Sequence, residues 1–164
     1  MAKADAGNSF KRLALLASPT ERAQEAAATL ADSADWVTLE HAEAAVVLGG
    51  DGFMLETMHR MIDAERLLPV YGLNLGTVGF LMNRYHKGAR VLERIAKARR
   101  IAVSPLRMDA VTQDGATSSF FAINEVSLLR ETRQTAKLEI SVNERVRVAE
   151  LACDGVLLAT PVGS

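Results

Sequence analysis

Between Phe10 and about Arg100 the chain alternates short apolar runs with longer stretches in which apolar residues recur every three or four positions. "FKRLALLAS" (10–18) predicts a buried strand. "PTERAQEAAATLAD" (19–32) is Ala-rich, with Pro19 and Glu21 placed as in a first helical turn, and predicts a helix. "AAVVLGG" (44–50) predicts a second strand, and "GFMLETMHRMIDAERL" (52–67) a helix with Met54, Met58, Met61 and Ile62 on its core-facing stripe. "PVYGLN" (69–74) gives a third strand. "KGARVLERIAKARR" (87–100) gives another amphipathic helix that buries Val91, Leu92 and Ile95 and ends in basic residues suited to the negative end of its dipole. Strands alternating with helices imply right-handed βαβ crossovers. The expected class is α/β, with an N-terminal Rossmann-like, doubly wound parallel sheet.

After Ile101 the period changes. "MDAVTQDGATSSFFAINEVSLLR" holds two β-type runs around Asp114-Gly115, and "KLEISVNERVRVAEL" alternates on both sides of Asn143-Glu144, so both predict hairpins. The boundary falls near Arg100 to Ser104. Residues 1–102 are expected to form the α/β domain, and residues 103–164 the beginning of an antiparallel, β-rich C-terminal domain. No internal repeat or low-complexity linker interrupts the chain.

Composition narrows the function classes. The chain has 164 residues, 49% of them hydrophobic, and a formal net charge of −1. That is enough to bury a sizeable core, and it provides no basic stripe for nucleic acid or an anionic membrane surface. Cys153 is the single cysteine, which excludes an internal disulfide framework and fits a reducing compartment. His41, His59 and His86 have no Cys or His neighbours at zinc-binding spacing. "MAKADAGNS" lacks the apolar core of a signal peptide, and no apolar run approaches the ~20 residues of a membrane span. The expected location is the cytoplasm.

Candidate chemistry centres on "VVLGGDGFML" (46–55), where a strand passes through Gly49, Gly50, Asp51 and Gly52 into a helix. In an open parallel sheet, ligands sit beyond the carboxyl ends of the strands. Glycines at that point leave room for positive φ and let backbone N–H groups approach phosphate oxygens, with the positive end of the helix dipole behind them. A carboxylate there would repel phosphate, so Asp51 suits a hydroxyl or a metal ion better, as a base or orienter in phosphoryl transfer. On these residues alone a second reading stays open, a tight turn with Asp51 as helix cap. Neither the P-loop spacing nor the full G-x-G-x-x-G fingerprint is present.

Three further segments add to this. "GLNLGTVGFLM" (72–82) is a second Gly-rich stretch after an apolar strand. "NEV" (124–126) places Asn and Glu inside a strand candidate, where both are disfavoured. "DGVLLATPVGS" (154–164) brings another Asp-Gly, then Thr-Pro and Gly-Ser turns. In this order, "GGDG", "NLGTVGFL", "NE" and "DGVLLATPVGS" closely resemble the NAD kinase family, over nearly the whole chain from Phe10 onward. "GGDG" alone is shared with diacylglycerol-type lipid kinases, and phosphofructokinases carry a related turn. A lipid or other small-molecule kinase should lack the "NE" and "TPVGS" segments; a non-catalytic dinucleotide-binding module would be favoured if Asp51 were a structural cap.

The resemblance implies transfer of a phosphoryl group from ATP or inorganic polyphosphate to the 2′-hydroxyl of the adenosine ribose of NAD, giving NADP. It implies a divalent metal ion, Mg²⁺, bound with the nucleotide, an active site between the two domains, and a homodimer or homotetramer. By the same resemblance Asp51 is the catalytic aspartate, and Gly49, Gly50 and Gly52 face phosphate. Gly52, Phe80, Asn124, Glu125, Asp154 and Val162 line the dinucleotide site, and no residue is assigned as a metal ligand of the protein. Two departures stand out. Phe53 occupies a position that is commonly Thr in the family, and the sequence stops at Ser164 inside the last motif. The second departure implies a fragment with an incomplete dinucleotide site and, as a separate polypeptide, little or no kinase activity.

Overall fold

The computed structural model describes residues 9–87 and 90–163. The chain divides into two compact units, Met1–Ala102 and Val103–Ser164.

The first unit is built on a parallel sheet of β1 (Leu13–Ala17), β2 (Ala44–Gly49), β3 (Val70–Asn74) and β4 (Asn83–Arg84), paired in that order. Its helices are α1 (Glu21–Leu30), α2 (Asp51–Asp63) and α3 (Val91–Lys97). All six residues of β2 are buried. A strand covered on both faces needs an unbroken apolar run, and "AAVVLG" supplies it. On one face Leu13, Ala44, Val46, Leu48 and Leu73 pack with Ala23, Ala26 and Leu30 of α1 and with Val91 and Ile95 of α3. The opposite face belongs to α2: a Cβ added at Gly72 would meet the Met54 sulfur at 3.3 Å.

After α1 the chain does not go straight to β2. It returns to the outer side of β1, where Trp36 bridges Leu13 in parallel and the Val37 N–H donates to the Leu13 carbonyl at 2.9 Å. It then crosses to β2 on the other side. The strand order therefore reverses between β1 and β2, with helices on both faces, which is the doubly wound pattern. The carboxyl ends of these two strands meet at the reversal, where the Ser18 N–H donates to the Leu48 carbonyl at 2.8 Å.

Several local expectations shift. Pro19 lies outside α1; Thr20 occupies the N-cap position and Glu21 the first turn. In α2 the buried residues are Met54, Thr57 and Met61, with Met58 and Ile62 only half-buried. Thr57 can be buried because its hydroxyl donates to the Phe53 carbonyl at 2.8 Å. The helix stops at Asp63, four residues short of Leu67, with Glu65 at φ 51° in the left-handed region. In α3 Val91 and Ile95 are buried, but Leu92 is 37% exposed, because one seven-residue helix presents only a narrow stripe to the sheet. The helix ends at Lys97, so of the "KARR" run only Lys97 is in its last turn, and Arg100 lies over the Phe10 ring at 4.9 Å. Gly88 and Ala89, within the expected span of that helix, lie outside the described residues.

The second unit consists of antiparallel pairs. β5 (Leu106–Val111) pairs with β6 (Thr117–Ala122), and β8 (Ala136–Val142) with β9 (Arg145–Cys153). These are the two expected hairpins. Gly115 takes φ +87° in the first turn, and Asn143 and Glu144 take φ 52° and 63° in the second, as a two-residue turn matched to strand twist requires. β7 (Glu125–Leu129) pairs with β10 (Gly155–Ala159). Gly155 is held there by space: a Cβ would fall 2.3 Å from the Leu128 carbonyl oxygen.

Candidate active site

The Gly-rich turn follows directly from the end of β2. Gly49 is the last strand residue, Gly50 is the N-cap of α2 with extended backbone (φ −112°, ψ 178°), and Asp51 is the first helical residue. The expected positive φ does not occur here; among the described residues Gly115 is the one glycine with positive φ. The glycines matter through space instead. A Cβ at Gly49 would press on Phe53 and Ser18 at 3.1–3.2 Å, whereas Gly50 and Gly52 have nothing within 4 Å of the Cβ position. Those two glycines leave bare backbone facing an open volume at the start of a helix, the arrangement in which N–H groups meet phosphate oxygens.

The N-cap of α2 is Gly50, which has no side chain to close the helix start, and Asp51 follows in the first turn. Its carboxylate reaches the loop that follows β3. Oδ2 accepts the Phe80 N–H at 2.7 Å, and Oδ1 accepts the Leu81 N–H at 3.2 Å. That loop is the second Gly-rich segment, so the first unit brings Gly49, Gly50, Asp51, Gly52 and Phe80 together. The Leu75 N–H donates to the Gly49 carbonyl at 2.7 Å, and the Asn74 Oδ1 accepts the Gly76 N–H at 2.9 Å. Gly79 sits so close to Asn74 that a Cβ would lie 2.8 Å from its amide group. The Phe80 ring is 89% exposed. Arg22, on α1, donates from Nη1 to the Leu75 carbonyl at 3.3 Å and places a cation beside the loop that the sequence reading missed.

In the second unit, Asn124 lies in the bend between β6 and β7, and Glu125 opens β7 opposite Ala159. The disfavoured Asn is therefore outside the strand. Its carbonyl accepts the Thr160 N–H at 2.7 Å, and the Thr160 hydroxyl donates to the Ile123 carbonyl at 2.6 Å. The Val162 N–H donates to the Thr160 hydroxyl at 3.3 Å, and a Cβ on Gly163 would fall 2.1 Å from the Asn124 carbonyl oxygen. These bonds bring Asn124 and Val162 together. The buried Asn124 Oδ1 has no hydrogen-bond partner among the described residues. A buried acceptor in that state costs about 1–3 kcal/mol unless a donor reaches it.

Asp154 lies between β9 and β10 and is paired with Arg130, whose Nε stands 2.7 Å from Oδ1. The Arg130 N–H also donates to the Asp154 carbonyl at 2.9 Å. Arg130 lies one residue beyond β7, and no local pattern in the sequence marks it. Among the described residues, no group of three or more His, Cys, Asp or Glu side chains could hold a metal ion. No helix among the described residues is long and apolar enough to cross a membrane.

Comparison with known proteins gives a consistent picture. Residues 5–101 match the ATP-NAD kinase N-terminal domain. The chain is 57% identical over 154 residues to the NAD kinase of Rhizorhabdus wittichii, covering 94% of this chain and 60% of that protein. It is 54% identical over 155 residues to the NAD kinase of Zymomonas mobilis, with the same coverage of both, 94% and 60%. For the NAD kinase of Caulobacter vibrioides the identity is 52% over 153 residues, covering 93% and 58%. The chain thus spans about 60% of the length of these curated relatives. Among solved structures, yeast NADH kinase complexed with NADH superposes with a TM-score of 0.64 at 18% identity, covering 94% of this chain and 59% of that one. That likeness shows the fold alone.

Proposed function

The chain belongs to the NAD kinase family, and from that premise we propose that the protein phosphorylates NAD at the 2′-hydroxyl of its adenosine ribose, with ATP or inorganic polyphosphate as donor. The observation that carries the reading is the single carboxylate of Asp51 set between the open-faced Gly50 and Gly52 at the reversal of the sheet. The ribose oxygen attacks the terminal phosphorus, the bond from that phosphorus to the leaving phosphate oxygen breaks, and the hydroxyl proton passes to Asp51. An ionised carboxylate has about four lone-pair sites. The Phe80 and Leu81 amides use two of them, leaving acceptor capacity for the substrate hydroxyl. A positioned base of this kind contributes about 10²–10⁴ in rate.

The bare N–H groups at Gly50 and Gly52 are suited to donor phosphate oxygens, with Gly49 holding the turn against Phe53. With Phe53 in place of a threonine, the phosphates lose one hydroxyl partner and depend on backbone donors. On the dinucleotide side, the unpartnered Asn124 Oδ1 is an acceptor ready for a donor on the substrate, and Glu125 and Asp154 can accept ribose hydroxyls. Phe80 offers an exposed ring for stacking, and Val162 an apolar neighbour to Asn124. The residues fit a cation that arrives with the nucleotide: Asp51 is the one carboxylate at the Gly-rich turn, and Mg²⁺ is commonly held by one or two carboxylates plus substrate phosphates. Bound there, Mg²⁺ would supply neutralisation of the charge on the transferred phosphoryl group. A cytoplasmic homodimer or homotetramer completes the proposal.

The test is to incubate the full-length protein and Mg²⁺ with NAD and either ATP or polyphosphate, and to follow NADP. Formation of NADP with at least one donor is expected; its absence with both would overturn the reading.

A further inference from the structure

We propose that Asp51 has a second role, as the positioning residue that sets the place of Phe80 and so shapes the dinucleotide wall before substrate arrives. Between Thr77 and Leu81 the loop after β3 has two backbone hydrogen bonds among the described residues, from the Phe80 and Leu81 amides, and both end on Asp51. The partners are 29 and 30 residues apart in sequence, so this is a tertiary tie between two loops and not a feature of either turn. The ring it places has almost no packing of its own, being 89% exposed. At the base of the loop the Gly76 N–H donates to the Asn74 Oδ1 and Gly79 lies close against the Asn74 side chain, while the bonds of the tip among the described residues are those to the carboxylate. Bonds from neutral N–H groups to an ionised acceptor are about twice as strong as neutral ones.

The substitution Asp51→Asn separates a clamp from a mere acceptor. An amide offers one oxygen, and its own NH₂ would confront the second backbone N–H. In the substrate-free full-length protein, Asp51→Asn and Asp51→Ala should therefore speed hydrogen exchange at the Phe80 and Leu81 amides by roughly ten- to hundredfold. Exchange at Val47 and Leu73, in the sheet below, should be unchanged. Unaltered exchange at Phe80 and Leu81 would overturn the clamp. So would an equal rise at all four amides, because the contact would then be part of the core.

The consequence for NAD rests on the family reading and is read separately, by calorimetry without a phosphoryl donor. Asp51→Asn and Phe80→Ala should each weaken NAD binding, and the double variant should bind no worse than the weaker single one. Additive losses, or unchanged binding in Phe80→Ala, would overturn the positioning role. Absence of NAD binding in the unmodified protein would instead sink the functional reading, and exchange would still decide the clamp.

Discussion

The two units use the same kinds of apolar, β-forming residues and bury them to very different extents. In Met1–Ala102 the side chains of Val46, Val47, Leu48 and Leu73 are removed from solvent completely. Among the described residues of Val103–Ser164 the buried ones are Ile123 and Thr160, while Phe120, Leu129 and Leu158 on the ladders remain exposed. The difference lies in what covers the strands. β1, β2 and β3 of the first unit each adjoin a helix in sequence, α1 after β1 and α2 between β2 and β3, whereas the two residues of β4 stay exposed. The second unit has two-stranded ladders and, among its described residues, no helix. A two-stranded ladder alone is marginal in water. Rigidity in this chain therefore resides in the sheet that carries Asp51.

That contrast can be broken by mutation. Leu73→Ala should lower the unfolding free energy by about 2–5 kcal/mol, since it leaves a cavity where a fully buried side chain stood. Denaturant titration measures it, and a loss below 1 kcal/mol would mean that the sheet is less well packed than its burial shows. Gly163→Ala should have the next largest effect, about 1–3 kcal/mol. The new methyl would run into the Asn124 carbonyl, and the thermal transition of the second unit should fall. Leu129→Ala, at 79% exposure in this chain, should change stability by less than about 0.5 kcal/mol. A larger loss would show that this face of β7 is covered in solution.

The smallest effect concerns pH. Glu43 accepts the Lys11 and Arg12 N–H groups at 2.7 and 3.3 Å, and the Lys11 bond is the main cause of its lowered pKa. A carboxyl with a depressed folded pKa adds stability above its unfolded pKa and loses it as pH falls through the folded value. Thermal melts of Glu43→Gln should therefore differ slightly from the parent at neutral pH and converge with it in acid. A difference that grew on acidification would contradict the sign.

Much of this was legible because it is local. The apolar runs of β1, β2 and β3, the turns at Asp114-Gly115 and Asn143-Glu144, and the strand-to-helix passage through "GGDG" depend on neighbouring residues. What escaped depends on distant ones. Leu92 has the right spacing to be buried, yet it falls beside the narrow stripe that a seven-residue helix buries through Val91 and Ile95. Thr57 is buried because a helical hydroxyl can satisfy itself on the preceding turn. The short β4 and the Trp36 bridge are too brief to leave a period. The motifs gave the positions of Asp51 and Phe80, but not that one holds the other, because a hydrogen bond across 29 residues has no signature along the chain. Arg130 escaped for the same reason: only the pairing of β7 with β10 brings it to Asp154.

If Asp51 is the base in the proposed phosphoryl transfer to NAD, its loss must slow the chemical step itself while the sheet that carries it stays intact. Single-turnover formation of NADP by full-length Asp51→Asn, with NAD and donor saturating and Val47 and Leu73 exchange confirming an intact sheet, tests it most directly. The expected rate is lower by about 10²–10⁴ than that of the unmodified protein. A rate within a few-fold of it would rule out a role as base and leave Asp51 as a loop tether alone.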